Sequence, residues 1–219
     1  MYPFLKRAVD ILVSLVLIVL FSPVILAAAL AVKLSSPGPV FFVQPRGGRF
    51  GRPFMSIKFR TMRADHVHDV HEVVPLTHPS ITRLGRFMRR FKIDELPQLF
   101  NILRGDMSLV GPRPTIMEQV VAYNDFQRRR LDVRPGLTGL AQVNATAAMS
   151  WEERIKYDVY YVDHCGPLLD LLILAKTPVV VLLGEERFAR PFEQSPYARK
   201  QRYSTQDNPA QNDSCNIRS

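Results

Sequence analysis

Cysteine, tryptophan and acidic side chains are scarce in this chain of 219 residues. The only cysteines are Cys165 and Cys215, which excludes the disulfide framework of small secreted domains. The 20 acidic residues are outnumbered by 29 Lys and Arg, and the formal charge of +9 predicts anionic partners such as nucleic acid, phosphorylated metabolites or an acidic membrane surface. Because 47% of the residues are hydrophobic and 22% charged, global disorder is excluded and a core can form.

Two nucleotide-binding signatures are also missing. The chain has no Gly-x-x-x-x-Gly-Lys-Ser/Thr and no Gly-x-Gly-x-x-Gly after a strand, so neither a P-loop ATPase nor a Rossmann enzyme is indicated. Residues 66–72 (HVHDVHE) carry metal-ligating side chains, but their spacing matches neither a zinc finger nor His-Glu-x-x-His. We interpret this run as a polar loop, with metal binding as the alternative.

Residues 11–32 form an uncharged run of 22 residues, and about 20 suffice to cross the hydrocarbon of a bilayer as a helix. The run therefore predicts membrane contact. One alternative is a buried helix of a soluble fold. Another is a cleaved signal peptide, with Lys6 and Arg7 as its basic region and small residues near Ala29 and Ala31 as its cleavage site, although the apolar run is longer than the usual ~7 to 15 residues.

The flanks and the middle of this run favour a bent helix that returns to the side from which it entered. Lys6 and Arg7 precede the run and Lys33 follows it, and Lys and Arg collect on cytoplasmic flanks. Pro23 removes one backbone donor, and Ser22 can bond a carbonyl that the proline leaves free. We expect a re-entrant helix broken at Ser22 and Pro23, with a kinked spanning helix as the alternative.

The sequence predicts a small α+β protein, mostly helical, and divides the chain into three parts. Residues 1–34 form the membrane helix, and the turn residues Ser35, Ser36, Pro37, Gly38 and Pro39 follow it. Residues 35–192 form the globular domain. Residues 193–219 form a polar tail that composition predicts to be disordered.

Three helices are predicted within the globular domain. The apolar residues of 96–103 fall at helical spacing, and residues 151–162 form another helix before a Gly-Pro pair. Residues 168–183 are apolar but contain charged residues and a proline, so this third helix is expected to lie in the membrane interface with one face in lipid.

Most of the excess charge lies between residues 46 and 92. This stretch contains 11 Lys or Arg and 3 acidic residues, and it follows directly on the membrane segment. A solvated basic face is one interpretation, and binding of lipid phosphates or a phosphorylated ligand is the other.

The strongest site signal is the acidic pair Asp94 and Glu95. Asp94 is placed to cap a helix whose first turn includes Pro97, which is a purely structural reading. The functional reading depends on the cations that precede the pair, since carboxylates among cations can hold Mg²⁺ together with a phosphate, and a carboxylate can then attack phosphorus. These cations are Arg86, Arg89, Arg90 and Lys92.

Two further arginines stand in rigid backbone. Arg113 lies between Pro112 and Pro114, and Arg134 precedes a Pro-Gly pair. Such flanks suit an arginine positioned in advance for a phosphate, and a structural turn is the equal alternative.

Several long motifs, in this order, resemble the bacterial sugar transferase family, the small single-domain monotopic polyprenyl-phosphate phosphoglycosyl transferases. The resemblance runs from about residue 6 to about residue 183 and leaves only the tail outside. The motifs are KRAVD from 6, SPGPVFFVQPRGG from 36, KFRTM from 58, ITRLGRFMRRFKIDELPQLFNILRGDMSLVGPRP from 81, RPGLTGLAQVN from 134 and YDVYYV from 157.

The resemblance implies transfer of a sugar 1-phosphate from a UDP-sugar to undecaprenyl phosphate, with release of UMP, at the start of exopolysaccharide, capsule, O-antigen or glycoprotein assembly. It implies Mg²⁺ as the cofactor and the UDP-sugar, undecaprenyl phosphate and membrane lipids as partners, without nucleic acid. It is compatible with a homo-oligomer. It also implies a location at the bacterial inner membrane, with the catalytic domain on the cytoplasmic face.

Carried over residue by residue, the resemblance assigns roles at the site. Asp94 would be the nucleophile that forms a covalent aspartyl phosphosugar intermediate, and it would also contact Mg²⁺. Glu95 would be its partner. Lys58, Arg89 and Arg113 match the family's lysine of the KFR motif, its phosphate-binding arginine and the arginine of its Pro-Arg-Pro motif.

One departure concerns the donor pocket. After Gln-Val-Asn the family usually continues Gly-Arg-Asn, whereas this chain has Ala at 145, Thr at 146 and Ala at 147. The choice of sugar or nucleotide therefore stays open. Two other classes of function also stay open from the residues alone: a membrane-anchored basic module that binds anionic lipid or nucleic acid, and a secreted domain behind a signal peptide.

Overall fold

The computed structural model describes residues 2–63, 78–146 and 148–198. The described part is mostly helical with two small sheets, which confirms the expected α+β class. The helices are α1 (Tyr2–Ser35), α2 (Arg83–Arg90), α3 (Gln98–Arg104), α4 (Met117–Ala122), α5 (Asp125–Arg128), α6 (Leu140–Asn144), α7 (Trp151–His164) and α8 (Pro167–Leu183). The strands are β1 (Phe41–Gly47), β2 (Pro53–Phe59), β3 (Ser108–Val110) and β4 (Gly136–Thr138).

Helix α1 contains the apolar run and continues through Pro23. Among the described helices it is the one long and apolar enough to cross a membrane, and most of its large apolar side chains are exposed. A proline leaves the carbonyl four residues earlier without its helical donor, which here is the carbonyl of Val19. Ser22 Oγ donates to this oxygen at 2.7 Å, as the sequence predicted for a serine at this position.

The globular domain holds α1 near both of its ends. Near the N-terminus, Arg7 donates to the carbonyl oxygens of Ile102 (2.6 Å) and Leu103 (2.9 Å) at the end of α3. Just after the C-terminal end of α1, Arg60 donates to the carbonyl oxygens of Ser36 and Pro37, each at 2.7 Å. Both halves of the helix therefore lie against the same domain.

The main core lies between α3, α6, α7 and α8. Its large, fully buried members include Leu99, Ile102, Tyr157 and Ile173. The short strands β3 and β4 pair in parallel and cross this core. A separate cluster of Ala28, Val32, Phe59 and Met88 packs the C-terminal half of α1 against β2 and α2.

Strands β1 and β2 form an antiparallel hairpin that α3 holds through buried polar side chains. Asn101 accepts from the backbone N–H of Ile57 at 3.1 Å and donates to the carbonyl of Met55 at 2.8 Å. Gln98 Nε2 donates to Ser56 Oγ at 3.1 Å. These bonds fix β2 beside the residues that precede α3.

The predicted helices are present with changed bounds. Residues 151–162 and 168–183 lie in α7 and α8. The helix expected around 96–103 starts only at Gln98 and buries Leu99 and Ile102, while Phe100 is exposed. The difference arises because Leu96 ends a separate 3-10 turn and Pro97 is the N-cap of the helix, although Leu96 still packs against the same core.

The predicted tail begins within the described part of the chain. Residues 193–198 still pack on the domain, since Ser195 and Ala198 are buried. The remainder of the tail, like the run at 66–72 and residue 147, lies outside the described residues.

Candidate active site

The acidic pair lies in a short 3-10 turn, Ile93–Glu95, between α2 and α3. Lys92, directly before the turn, adopts the left-handed conformation (φ 58°), which is uncommon for a residue with a side chain. The prediction that Asp94 caps the following helix is wrong. That helix begins at Gln98, with Pro97 at its N-cap position, because the 3-10 turn separates the acidic pair from it.

Glu95 is the buried anion of an ion-pair cluster. Lys58 Nζ approaches Glu95 Oε1 at 2.5 Å, and Arg113 Nη2 approaches the same oxygen at 2.6 Å. Arg113 Nη1 also donates to Glu95 Oε2 at 3.4 Å. Residues from β2, from the turn before α3 and from the segment after β3 thus meet at one carboxylate.

The charges around Glu95 determine its ionisation. Burial alone raises the pKa of a carboxyl group, but Arg113 and Lys58 outweigh it and hold the pKa of Glu95 well below its ordinary value. Burial lowers the pKa of Lys58, and the Glu95 carboxylate opposes this shift. Of the acidic pair, Glu95 is therefore the carboxyl whose surroundings favour the ionised form.

Asp94 has a different environment from its neighbour. It is 7% exposed, and its Oδ1 is covered without a hydrogen-bond partner among the described residues. Burial, and next the charge of Glu95, raise the pKa of Asp94, while Lys58, Lys92 and Arg89 act in the opposite direction. An unpartnered buried oxygen costs about 1–3 kcal/mol, so this carboxyl is not arranged for stability alone.

Arg89 faces the acidic pair from α2. Its Nε donates to Thr61 Oγ1 at 2.9 Å, and burial lowers its pKa while the carboxylates of Asp94 and Glu95 raise it. Helix α2 can lie this close to the backbone of Thr61 only because residue 85 is glycine, since a Cβ on Gly85 would lie 2.1 Å from the carbonyl oxygen of Thr61. The helix N-terminus is capped by Thr82, whose side chain accepts from the Gly85 N–H.

The structure thus brings Lys58, Arg89 and Arg113 together around Asp94 and Glu95. Arg134 lies elsewhere, since its Nε donates to the carbonyl of Gly105 at 2.8 Å, at the opposite end of α3 from the acidic pair. Gly105 ends α3 in the left-handed conformation. Ser22 and Pro23 lie within α1.

Of the cations that precede the acidic pair, Arg90 points to a neighbouring helix. Its guanidinium donates to the carbonyl oxygens of Val181 and Leu182 in α8, at 2.7 and 3.2 Å. It therefore helps to hold the end of α8 beside the site.

Some residues of the site were missed by sequence reasoning. Ser56, Gln98 and Asn101 are buried polar residues that hold β2 and α3 together and so place Lys58. Arg46 lies close to Arg113 and Glu95, and burial and then Arg113 lower its pKa to about 10. The polar Ser56 in an otherwise mostly apolar strand was the available signal for the β2 contacts, and only the fold brings Arg46 near.

The donor set can be compared with the needs of Mg²⁺. This ion takes oxygen ligands, and it is usually held by one or two carboxylates together with substrate phosphates rather than by a full protein cage. The unpartnered oxygen of Asp94 fits that requirement. Within the described ranges no group of three or more His, Cys, Asp or Glu gathers to hold a metal.

A small α+β domain thus holds a long apolar helix that is compatible with a membrane anchor, and it places a carboxylate pair among cations. The family model for bacterial sugar transferases matches residues 1–184. The chain belongs to this family, as its motifs indicated. Membership in a transferase family decides against the basic binding module.

Curated relatives agree with this assignment. An uncharacterized sugar transferase, EpsL of Bacillus subtilis, is 44% identical over 181 residues, covering 83% of this chain and 89% of that protein. The UDP-glucose:undecaprenyl-phosphate glucose-1-phosphate transferase of Caulobacter vibrioides is 41% identical, covering 84% of this chain and 72% of that protein. A UDP-N-acetylgalactosamine-undecaprenyl-phosphate N-acetylgalactosaminephosphotransferase of Aeromonas hydrophila is 43% identical, but the match spans only 45% of its length.

Proposed function

We propose that this protein transfers a sugar 1-phosphate from a UDP-sugar to undecaprenyl phosphate and releases UMP, as an initiating step of glycan assembly. The observation that carries the proposal is the contrast within the acidic pair: Glu95 is neutralised by Lys58 and Arg113, whereas Asp94 keeps an unpartnered oxygen among cations. The names of its relatives support both the donor and the acceptor class.

In the first step, a carboxylate oxygen of Asp94 attacks the phosphorus that carries the sugar. The bond from this phosphorus to the bridging oxygen breaks, UMP leaves with the electron pair, and an aspartyl phosphosugar remains. Arg89 and Arg113 bind the donor phosphates and balance the charge that develops on their oxygens. The positive charges of the two arginines also reduce the repulsion between the Asp94 carboxylate and the diphosphate.

In the second step, a phosphate oxygen of undecaprenyl phosphate attacks the same phosphorus. The bond to Asp94 breaks and the carboxylate is restored, so no co-reactant is consumed. Glu95 stays ionised throughout and orients Lys58 and Arg113. Asp94, with the donor's phosphate oxygens, would hold Mg²⁺, which supplies charge neutralisation when bound.

The acceptor lies in the bilayer, so the site has to work at the height of the lipid headgroups. Helix α1, re-entrant at Ser22 and Pro23, would hold it there on the cytoplasmic side of the inner membrane. Helix α8 would lie in the interface, because Leu168, Leu171 and Leu182 are exposed while Ile173 is buried. The domain contacts the start of α1 through Arg7 and its C-terminal half through the cluster with Ala28 and Val32. These contacts support this arrangement, since about 30 Å of hydrocarbon would separate the ends of a spanning helix.

Release of UMP, measured with a panel of UDP-sugars in nanodiscs that contain undecaprenyl phosphate, tests the proposal. The panel includes UDP-glucose and UDP-N-acetylgalactosamine, the donors of the relatives. We expect Mg²⁺-dependent release with at least one donor, and we expect Asp94→Asn to reduce turnover on the order of 10⁴-fold or more, the scale of losing a covalent nucleophile.

The matched control is Asp125→Asn, which makes the same chemical change at an exposed position. With a donor labelled in the sugar, the wild-type enzyme should retain label on the protein before acceptor is added, and Asp94→Asn should not. Full turnover in Asp94→Asn would refute the covalent route.

A further inference from the structure

A second ion pair, between Arg130 and Asp158, contacts the backbone of Arg113 and takes no part in the reaction described above. Arg130 is 3% exposed, and its Nη2 lies 2.5 Å from Oδ2 of Asp158 in α7. The same nitrogen donates to the backbone carbonyl oxygen of Arg113 at 2.9 Å. Nη1 of Arg130 donates to the hydroxyl of Tyr123 at 2.6 Å. One buried guanidinium thus joins α7 to the backbone of a residue of the active site.

The segment that carries Arg113 has further supports from the same network. The hydroxyl of Tyr123 donates to Thr115 Oγ1 at 3.0 Å, and the carbonyl of Thr115 accepts from the N–H of Gly47 at 2.8 Å. Pro112 and Pro114 limit the backbone on either side of Arg113. Its carbonyl is therefore a point at which the direction of the guanidinium can be controlled.

Stability alone does not account for this pair. Two charges removed from water usually cost more than their attraction returns, and an apolar pair of similar size is often as stable or more stable. Nε of Arg130 and Oδ1 of Asp158 have no hydrogen-bond partner among the described residues. Burial also raises the pKa of Asp158 against the opposing charge of Arg130.

We propose that Arg130, held by Asp158, is a positioning residue for donor binding: its bond to the Arg113 carbonyl aims the Arg113 guanidinium at Glu95 and at the donor diphosphate. The Arg113 side chain is 39% exposed, so it can reach a ligand while its backbone is held from behind. This inference rests on the proposed function, because it acts through Arg113.

The test replaces both charges at once, with Arg130→Met and Asp158→Leu in one variant. The apolar pair should leave the melting temperature unchanged or raise it. It removes the bond to the Arg113 carbonyl, so we expect kcat/KM for the UDP-sugar to fall about 100-fold, the scale of a misplacement of about 1 Å in an active site. KM for undecaprenyl phosphate should stay the same.

Arg129 and Asp163 provide the matched control. They form an ion pair between the same two elements, the turn Arg129–Leu131 and α7, but the pair is more exposed. We expect Arg129→Met with Asp163→Leu to keep wild-type kcat/KM. Arg130→Lys serves as a second variant, because it preserves the charge opposite Asp158 but has only one nitrogen for its partners. Like the double variant, it should lower kcat/KM for the UDP-sugar.

The decisive measurement repeats the Arg130→Met, Asp158→Leu change in an Arg113→Ala background. If Arg130 acts through Arg113, the two losses are not additive, and the triple variant has the kcat/KM of Arg113→Ala alone. An equal further loss in that background would show a general structural role and overturn the inference while leaving the proposed function intact. Wild-type activity of Arg113→Ala itself would overturn both the inference and the role proposed for Arg113.

Discussion

At the residue scale, the instructive pair is Asp94 and Glu95, which are neighbours in the chain and differ by one methylene. Glu95 binds two cations and its pKa is lowered, whereas Asp94 has a covered, unpartnered oxygen and its pKa is raised. Two carboxyl groups whose pKa values are driven apart take different roles. The ionised Glu95 organises the cations, and Asp94 remains available to react.

Arg89 should influence the pH at which Asp94 becomes reactive. Asp94 attacks only when ionised, so kcat/KM should fall as the pH falls through its pKa. The charge of Arg89 lowers that pKa, and Arg89→Ala should therefore move the acid limb of the pH profile to higher pH. Loss of one phosphate contact should also reduce turnover about 100-fold. A pH series of UMP release measures both effects.

The matched control is Arg83→Ala, at an exposed position of the same helix. It should leave the acid limb in place. An acid limb at the same pH in Arg89→Ala and the wild type would contradict the assignment of Arg89 to the environment of Asp94.

The residues of the site were predictable to different degrees. The acidic pair, Lys58, Arg89 and Arg113 follow from motifs, and the structure groups them. Arg134 has the same rigid flank as Arg113 yet bonds Gly105 at the far end of α3. A proline beside an arginine constrains the local backbone, but it does not determine which part of the fold the side chain reaches.

At the element scale, the joint between α1 and α3 links the membrane helix to the site. The last carbonyls of a helix have no donor within the helix. At the end of α3, Arg7 donates to two of them, and Asp10 accepts from Ser108 Oγ (3.1 Å) and the Leu109 N–H (3.0 Å) nearby. The start of α1 is thereby an integral part of the catalytic domain.

Removing these bonds should weaken the whole domain. Arg7→Met keeps the apolar stem but loses both hydrogen bonds to the end of α3, and we expect the free energy of unfolding to fall by about 2 kcal/mol. In a chain of this size that lowers the melting temperature by about 4–8 °C. Thermal unfolding in nanodiscs measures the change.

Arg104→Met is the matched control, because Arg104 is an exposed arginine in the last turn of the same helix. It should shift the melting temperature much less. Equal shifts for the two variants would mean that the Arg7 bonds add nothing specific to the joint.

The helices themselves were predictable where their pattern is local and long. Helix α7 begins at Trp151 as the pattern indicated, and Ser150 caps it by accepting from the Glu153 N–H. The start of α3 was not predictable in this way. The left-handed Lys92 and the 3-10 turn after it depend on contacts with β2 and α2 rather than on helix-forming tendency.

At the scale of the whole molecule, one domain contacts both halves of a helix that would be about 50 Å long if straight. We therefore expect epitope tags at the two termini to be on the same, cytoplasmic side of the inner membrane. In intact spheroplasts both tags should resist added protease, and permeabilisation should expose both together.

A periplasmic tagged reporter in the same cells shows that the protease is active. Cleavage of one terminal tag in intact spheroplasts would establish a spanning helix and contradict the re-entrant arrangement. The bond from Ser22 to Val19 would be needed in either topology, so the tags rather than this bond decide between them.

The sequence by itself determined the apolar helix, the mostly helical α+β class and the family, because apolar runs, helical periodicity and long motifs are properties of neighbouring residues. Only the tertiary structure decided which cations meet which carboxylate, where Arg134 lies, and that Arg130 stands behind Arg113. These contacts join residues far apart in the chain, and the ionisation of a buried group depends on its neighbours in space.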